Sequence, residues 1–289
     1  MPKISSAETD RAAFTRAYEM RWRADENLRE AFRVMARYAT DGAILETDGV
    51  CHIATGIPNA FFNPVFLPRG VRPPDDIAIF QARARAFYAA RGGLPWTLLL
   101  PTYDGEEPMI SPDRLRDAGM VLAGTVPLLT RSMARVRDGL QGNRDVFIEP
   151  VVESDGMSEH RGVLSASFGL PGYVTEMLLP DLPVPTMRLF VAYLGGEPVG
   201  TISRFESAGI LGIYNLGVIP VCRRMGIATM LLRHVLQDGG AETGASDVVV
   251  QSPRAVLPLF RALGFRRFGM CARFVEPVHV PPGELKKHV

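Results

Sequence analysis

The stretch Val218-Ile219-Pro220-Val221-Cys222-Arg223-Arg224-Met225-Gly226-Ile227-Ala228-Thr229 joins two different apolar patterns. Residues 211–219 read as a strand, and residues 227–237 repeat their apolar positions at helical spacing. The helix start presents unpaired N–H groups and a partial positive charge. Gly226 lets a backbone approach a ligand closely, and Ala228 is too small to block it. Arg223 and Arg224 add positive charge. Together they predict an anion site suited to a pyrophosphate.

Downstream of that turn, residues 247–251 read as a strand, 255–262 as a helix stopped by Gly264, and 273–275 as the start of a last strand. Upstream lie a strand at 146–152, helices at 158–168 and 173–179, and a hairpin of 189–194 and 199–205 around Gly195-Gly196. The first half predicts one or two amphipathic helices over 8–38. A hairpin follows at 43–54, then a strand at 61–67, a helix at 75–91, a strand at 96–100, a short helix at 111–118 and an extended run at 122–133. The polar residues 135–144 read as a linker. Strands alternating with helices imply an α/β (α+β) fold, divided at 1–138 and 145–289.

Arg223-x-x-Gly226-x-Ala228 resembles the (Gln/Arg)-x-x-Gly-x-(Gly/Ala) signature of GNAT-type acyl-CoA N-acyltransferases. The hairpin before it, the strand ending Asn215-Leu216-Gly217-Val218, and Leu259-Phe260-Arg261-Ala262-Leu263-Gly264-Phe265 after it follow that superfamily's order over residues 146–276. The resemblance implies that the strand of Leu216, Gly217 and Val218 splays from residues 247–251. It implies that this strand pairs with the pantetheine arm of acetyl-CoA or another acyl-CoA, that the Val218 N–H faces the thioester carbonyl, and that the N–H groups of Arg224, Met225, Gly226, Ile227, Ala228 and Thr229 hold the pyrophosphate. Ser252 and Phe260 should then lie near the sulfur. Phe260 stands where many members have a tyrosine that protonates the leaving thiolate, and phenylalanine has no proton to give. Ser252, Tyr214 or water could supply it, the thiolate could leave unprotonated, or catalysis could be weak or lost. Glu206 and Tyr214 are candidates for the base, with Glu176 behind them.

The first half echoes the second. Phe62-Asn63-Pro64-Val65-Phe66-Leu67-Pro68 lines up without gaps against Tyr214-Asn215-Leu216-Gly217-Val218-Ile219-Pro220, and Leu115–Met120 against Phe260–Phe265. That suggests two related units. The same register sets Pro73 and Pro74 at Met225 and Gly226, and Asp75 and Asp76 at Ile227 and Ala228. Proline removes N–H donors and aspartate repels an anion. The first unit is therefore expected to be a degenerate copy without a CoA site, packed against the second and walling the acceptor cleft.

The 289 residues carry 32 basic and 31 acidic side chains, a balance that gives no reason to expect nucleic acid or an anionic membrane as partner. Cys51, Cys222 and Cys271 have no CxxC spacing, which argues for a reducing, cytoplasmic compartment. The five histidines form no HxxxH or HExxH pattern, and Cys51-His52 sits in an alternating strand pattern, so no metal site is predicted. The N-terminus lacks the apolar core of a signal peptide, and no apolar run is long enough for a membrane span. The favoured expectation is a monomeric or homodimeric N-acetyltransferase acting on a small-molecule or peptide primary amine by direct transfer, without metal. The alternative is a non-catalytic acyl-CoA-binding regulator. A nucleotide phosphate binder is disfavoured because the turn lacks a Walker ending and the three-glycine dinucleotide pattern.

Overall fold

The computed structural model describes residues 6–68, 77–134, 142–179 and 186–277. Ser6–Tyr38 is one helix of 33 residues, α1, not two. The hairpin of β1 (Ala43–Thr47) and β2 (Val50–Ala54) turns through Asp48 and Gly49, both at positive φ, as a tight two-residue hairpin turn requires. The predicted strand at 61–67 is shorter. Asn59 accepts a hydrogen bond from the Phe61 N–H and caps a 3-10 turn at Ala60–Phe62, leaving only Pro64–Phe66 as β3. Next come α2 (Ile77–Ala89), β4 (Thr97–Tyr103), α3 (Pro112–Asp117) and β5 (Val121–Ser132).

The second half follows the same order with an additional first strand and an additional helix. It contains β6 (Val146–Pro150), α4 (Ser154–Phe168), α5 (Gly172–Leu178), β7 (Met187–Leu194), β8 (Glu197–Ser207), β9 (Ile210–Val218), α6 (Ile227–Glu242), β10 (Asp247–Gln251), α7 (Leu257–Ala262) and β11 (Arg266–Val275). The last strand thus begins at Arg266, earlier than the sequence pattern suggested. Gly264, at φ +84°, stops α7 within two residues, and the chain is extended from there.

Among the described residues, eleven strands form a single sheet in the order β1-β2-β3-β4-β11-β5-β10-β9-β8-β7-β6. That order contains an exchange. β11, from the second half, pairs antiparallel with β4, and β5, from the first half, pairs antiparallel with β10. β5 and β11 pair with each other at the centre. The two halves therefore complete each other's sheets.

The repeat is visible atom by atom at α3 and α7. The Met120 N–H donates to the Leu115 carbonyl at 2.9 Å, and the Phe265 N–H to the Phe260 carbonyl at 3.0 Å. Gly119 and Gly264 both take positive φ to allow it. Each half also holds one parallel pair, β3 with β4 and β9 with β10, ending at Phe66–Leu99 and at Ile213–Val250. Phe66 therefore stands level with Ile213, not with Val218 as the ungapped alignment had it. The extrapolation of that alignment to Pro73, Pro74, Asp75 and Asp76 lies outside the described residues, as does most of the predicted linker.

Strand alternation sends side chains to two faces. One face carries α6, α7, α2 and α3 over two clusters, around Leu231, Val235, Val248 and Phe260 and around Phe80, Tyr88, Trp96 and Leu98. The other carries α1, α4 and α5. Among the described residues no helix is long and apolar enough to cross a membrane.

Candidate functional site

β9 and β10 pair only from Leu211–Val248 to Ile213–Val250. Beyond that point, residues 214–218 have β8 on one side and a gap on the other. The opening is helped by a bulge. Asn215 takes φ +53°, and the β8–β9 register shifts between Thr201 and Ser203. Side chains of the neighbouring strand hold the bulge: Thr201 Oγ1 donates to the Asn215 carbonyl at 3.0 Å, and Asn215 Nδ2 donates to Ser203 Oγ at 3.1 Å.

The ladder fixes where Val218 points. The Ile219 N–H donates to the Val199 carbonyl at 3.0 Å, so those residues are a hydrogen-bonded pair. The next pair, Val218 with Gly200, is then a non-bonded one. In an antiparallel ladder this turns the Val218 N–H away from β8 and into the gap. Gly217 faces the α4 side, where a Cβ would meet the Ser167 side chain at 2.7 Å. Leu216 and Val218 pack toward the α6 cluster.

After β9 the chain makes a 3-10 turn at Pro220–Cys222 and enters α6 through Arg224 at φ +65° and Gly226 at φ +78°. Gly226 is the N-cap and offers no side-chain acceptor, so the first N–H groups of α6 have no side-chain cap. Val221, Arg223, Arg224 and Met225 are exposed, and Ala228 and Thr229 half-buried. The turn is open to a ligand and shaped to receive an anion.

Arg223 has a different role from the one its charge suggested. Its Nε donates to the Val218 carbonyl at 3.1 Å and its Nη2 to the Ser167 carbonyl at 2.8 Å. It straps the C-terminal end of α4 to the end of β9 and so braces one lip of the gap. Arg224, also exposed, stands beside it at φ +65°.

The proposed acid and base residues are not brought together. Tyr214 faces the α1 side, where its hydroxyl donates to Asn27 Oδ1 at 2.8 Å, and burial pushes its pKa above the ordinary value. A tyrosine so held stays protonated and is no base. Asn27 is fully buried and fixed in turn, donating from Nδ2 to the Phe205 carbonyl at 3.1 Å. Gly212 leaves room for it, since a Cβ there would stand 2.1 Å from Asn27 Oδ1. Glu206 is exposed on the opposite face from Tyr214, with Arg204, which pairs with Asp238 of α6. Ser252 is buried; its N–H donates to the Pro127 carbonyl and its hydroxyl to the Pro253 carbonyl, both at 3.1 Å. Phe260 is 1% exposed and packs edge-on against Phe265, a core aromatic rather than a wall of the gap. Glu176 is exposed on α5.

Sequence reasoning missed the contribution of α1. Ala24, Asp25, Leu28 and Arg29 form one stripe of that helix over a cavity of about 80 Å³. The same cavity is bounded by Ile213, Tyr214 and Val249–Gln251, where β9 and β10 part, and by Phe66–Pro68 and Leu99–Pro101, where β3 and β4 part. The i, i+4 spacing of Asp25 and Arg29 was a signal for a shared helix face, but not for what that face covers.

Residues 164–265 match the family model of the acetyltransferase (GNAT) family. No curated protein matches the chain. Among solved structures, a GCN5-related N-acetyltransferase from Kribbella flavida superposes with a TM-score of 0.66 at 14% identity, over 86% of this chain and 95% of that one. A conserved protein of unknown function from Staphylococcus epidermidis gives 0.62 at 16% identity, over 82% and 94%. A GCN5-related N-acetyltransferase from Sphaerobacter thermophilus gives 0.56 at 15% identity, over 79% and 76%. At such identities the likeness is one of fold, and it runs through both halves of the chain. The chain thus has the fold of these GNAT-type structures, and its residues 164–265 match the family model of the acetyltransferase (GNAT) family.

Proposed function

We propose that this protein transfers the acetyl group of acetyl-CoA, or a related acyl group, directly to a primary amine. The observation that carries this reading is the continuity from the gap at residues 214–218 into the uncapped, exposed start of α6. A thioester-bearing arm needs backbone partners along an open strand, and its pyrophosphate needs N–H groups at the strand's end. β9 and the 223–229 turn supply both in sequence. In this reading Leu216, Gly217 and Val218 pair with the pantetheine arm. The N–H groups from Arg224 to Thr229 hold the pyrophosphate, Arg224 adds charge, and Arg223 braces the lip.

Acyl transfer then requires a neutral amine nitrogen at the thioester carbonyl. The C–N bond forms, the C–S bond breaks, and CoA leaves as thiolate. Of the two protons the ammonium loses, one ends on the thiolate and one in solvent. In this reading the Val218 N–H, held by the ladder before reaction, stabilises the oxyanion. By the same reading, Phe260 has no proton to give, and the hydroxyls of Ser252 and Tyr214 are engaged with the Pro253 carbonyl and Asn27. CoA therefore leaves as the thiolate, which its modest pKa permits, and takes its proton afterwards from water. A covalent acyl-cysteine on Cys271 is disfavoured, because burial and then the Asp25 carboxylate push that thiol up to about 12.

The same buried Phe260 favours the second reading, a non-catalytic acyl-CoA-binding regulator. Mixing the purified protein with acetyl-CoA and a panel of amines while following free thiol separates the two. Amine-dependent thiol release supports transfer. Tight acetyl-CoA binding with no release from any amine supports the regulator, and thermal protection by ATP or NAD but not CoA contradicts both.

A further inference from the structure

In the acyltransferase reading a bound acyl-CoA has a direction. Its pyrophosphate lies at residues 224–229 and its thioester at Val218, so the acyl group points back along β9 toward Tyr214 and Ile213. There β9 closes onto β10 at the Ile213–Val250 pair, and a chain that continues must leave the plane of the sheet. On the α6 face the way is filled, since Leu231 and Val248 are fully buried and Phe260 is 1% exposed. On the opposite face it opens into the cavity of about 80 Å³ under α1, which Ile213, Tyr214 and Val249–Gln251 border.

The lining suits hydrocarbon. Leu28 of α1, Leu128 of β5 and Phe268 of β11 face Phe66 and Leu99 of the first half. Because β5 and β11 are exchanged, both halves build this surface. The polar groups in the wall are engaged. Arg29 donates from Nη2 to the Leu67 carbonyl at 2.8 Å and lies 5.3 Å from the Phe66 ring centre. Asp25, one turn before it, has an interaction partner of its own, and the stripe sets the two opposite charges side by side. The Tyr214 hydroxyl donates to Asn27, and burial first, then Asp25, keep Cys271 a neutral thiol. Among the described lining residues, neither charge is left to hold an ammonium or a carboxylate.

Resting on the acyltransferase reading, we propose that this cavity is the acyl subsite and that the preferred donor is a CoA thioester of a medium-length saturated acyl chain. An acetyl group at Val218 stops short of the cavity, because Tyr214 lies ~13 Å further along β9. A chain of octanoyl length reaches in and ends among Leu28, Leu128 and Phe268. Without it, a cavity of this size holds several water molecules against apolar walls. Each methylene that replaces them is worth about fourfold in affinity. The chemistry at the thioester is the same for every chain length.

The test is calorimetric titration of the full chain with acetyl-, butanoyl- and octanoyl-CoA. The inference expects octanoyl-CoA to bind at least tenfold tighter than acetyl-CoA, with butanoyl-CoA between them. Ala24 lines the cavity from α1, so Ala24→Phe puts a ring into it. That variant is expected to lose at least tenfold in octanoyl-CoA affinity on protein whose circular dichroism is unchanged. Leu28→Trp, one turn on, repeats the test should Ala24→Phe not fold. Equal affinity for the three thioesters, or tightest binding of acetyl-CoA, overturns the inference and leaves the acyltransferase reading intact. So does a preference for octanoyl-CoA that survives undiminished in the folded variant. Binding of none of the three overturns both.

Discussion

Gly226 sits at φ +78°, and a Cβ there would stand 3.1 Å from the Asn143 backbone nitrogen. Both constraints fall at the entrance to α6, so Gly226→Val is expected to cost about 1–2 kcal/mol of stability from the left-handed backbone alone. It should also weaken acetyl-CoA binding at least tenfold, read by calorimetry on protein whose circular dichroism is unchanged. Phe260→Tyr tests the opposite kind of residue. It would restore the hydroxyl many GNAT enzymes carry, but in this chain the ring is core, against Phe265. An unpaired buried hydroxyl costs about 1–3 kcal/mol, so the melting temperature should fall with no gain in acyl transfer. His160 sets a pH dependence. It is fully buried on α4, Nδ1 donates to the Phe190 carbonyl at 3.2 Å, and burial lowers its pKa from 6.5 to about 4. The unfolded chain binds that proton more readily. His160's contribution is therefore complete above pH 6.5 and is lost as pH falls toward about 4, by about 3 kcal/mol at most. Urea denaturation at pH 7.5 and 5.0 should show the loss, and His160→Gln should shrink it.

At the scale of elements, α1 deserves its length. Its Phe32 and Ala36 pack on the first half's strands, its Ala31 and Val34 on the cluster around Met157 and Phe205, and Asn27 reaches the β8–β9 pair. Asn27→Leu would leave the Phe205 carbonyl and the Tyr214 hydroxyl without their partner, at about 1–3 kcal/mol for each buried group. Denaturant midpoints measure it. These elements differed in how far the sequence disclosed them. The strand–turn–helix around Gly226 was legible because a glycine, two arginines and a change of apolar period coincide within twelve residues. The hairpin at Asp48-Gly49 was legible for the same local reason. Roles that depend on distant partners were not. Nothing local distinguishes Arg223 as a strap to Ser167, or Asn27 as the anchor of Tyr214, because both bonds join residues far apart in sequence. The candidate acids and bases were named by order along strands, and alternation alone put Glu206 on the wrong face for Tyr214.

At the scale of the whole molecule, the exchange of β5 and β11 makes one sheet from two related halves. The sequence matched Leu115–Met120 to Phe260–Phe265, and both stretches close with the same hydrogen bonds. It did not disclose the exchange, because a strand's pattern says which face is buried and not which neighbour it pairs. Neither half alone owns the strand that covers β4 or β10. Cutting the chain within the polar sequence 135–144 is expected to give two pieces that copurify when coexpressed and aggregate when expressed singly, as size-exclusion chromatography would show.

Both halves have a parallel strand pair that parts, yet the sequence Arg223-Arg224-Met225-Gly226, which the proposed function assigns to the pyrophosphate, stands in the second alone. The most direct measurement of the account is a calorimetric titration of the full chain with acetyl-CoA. One site per chain, abolished or weakened at least tenfold by Gly226→Val, is the predicted result. No binding, or two equal sites per chain, would contradict it.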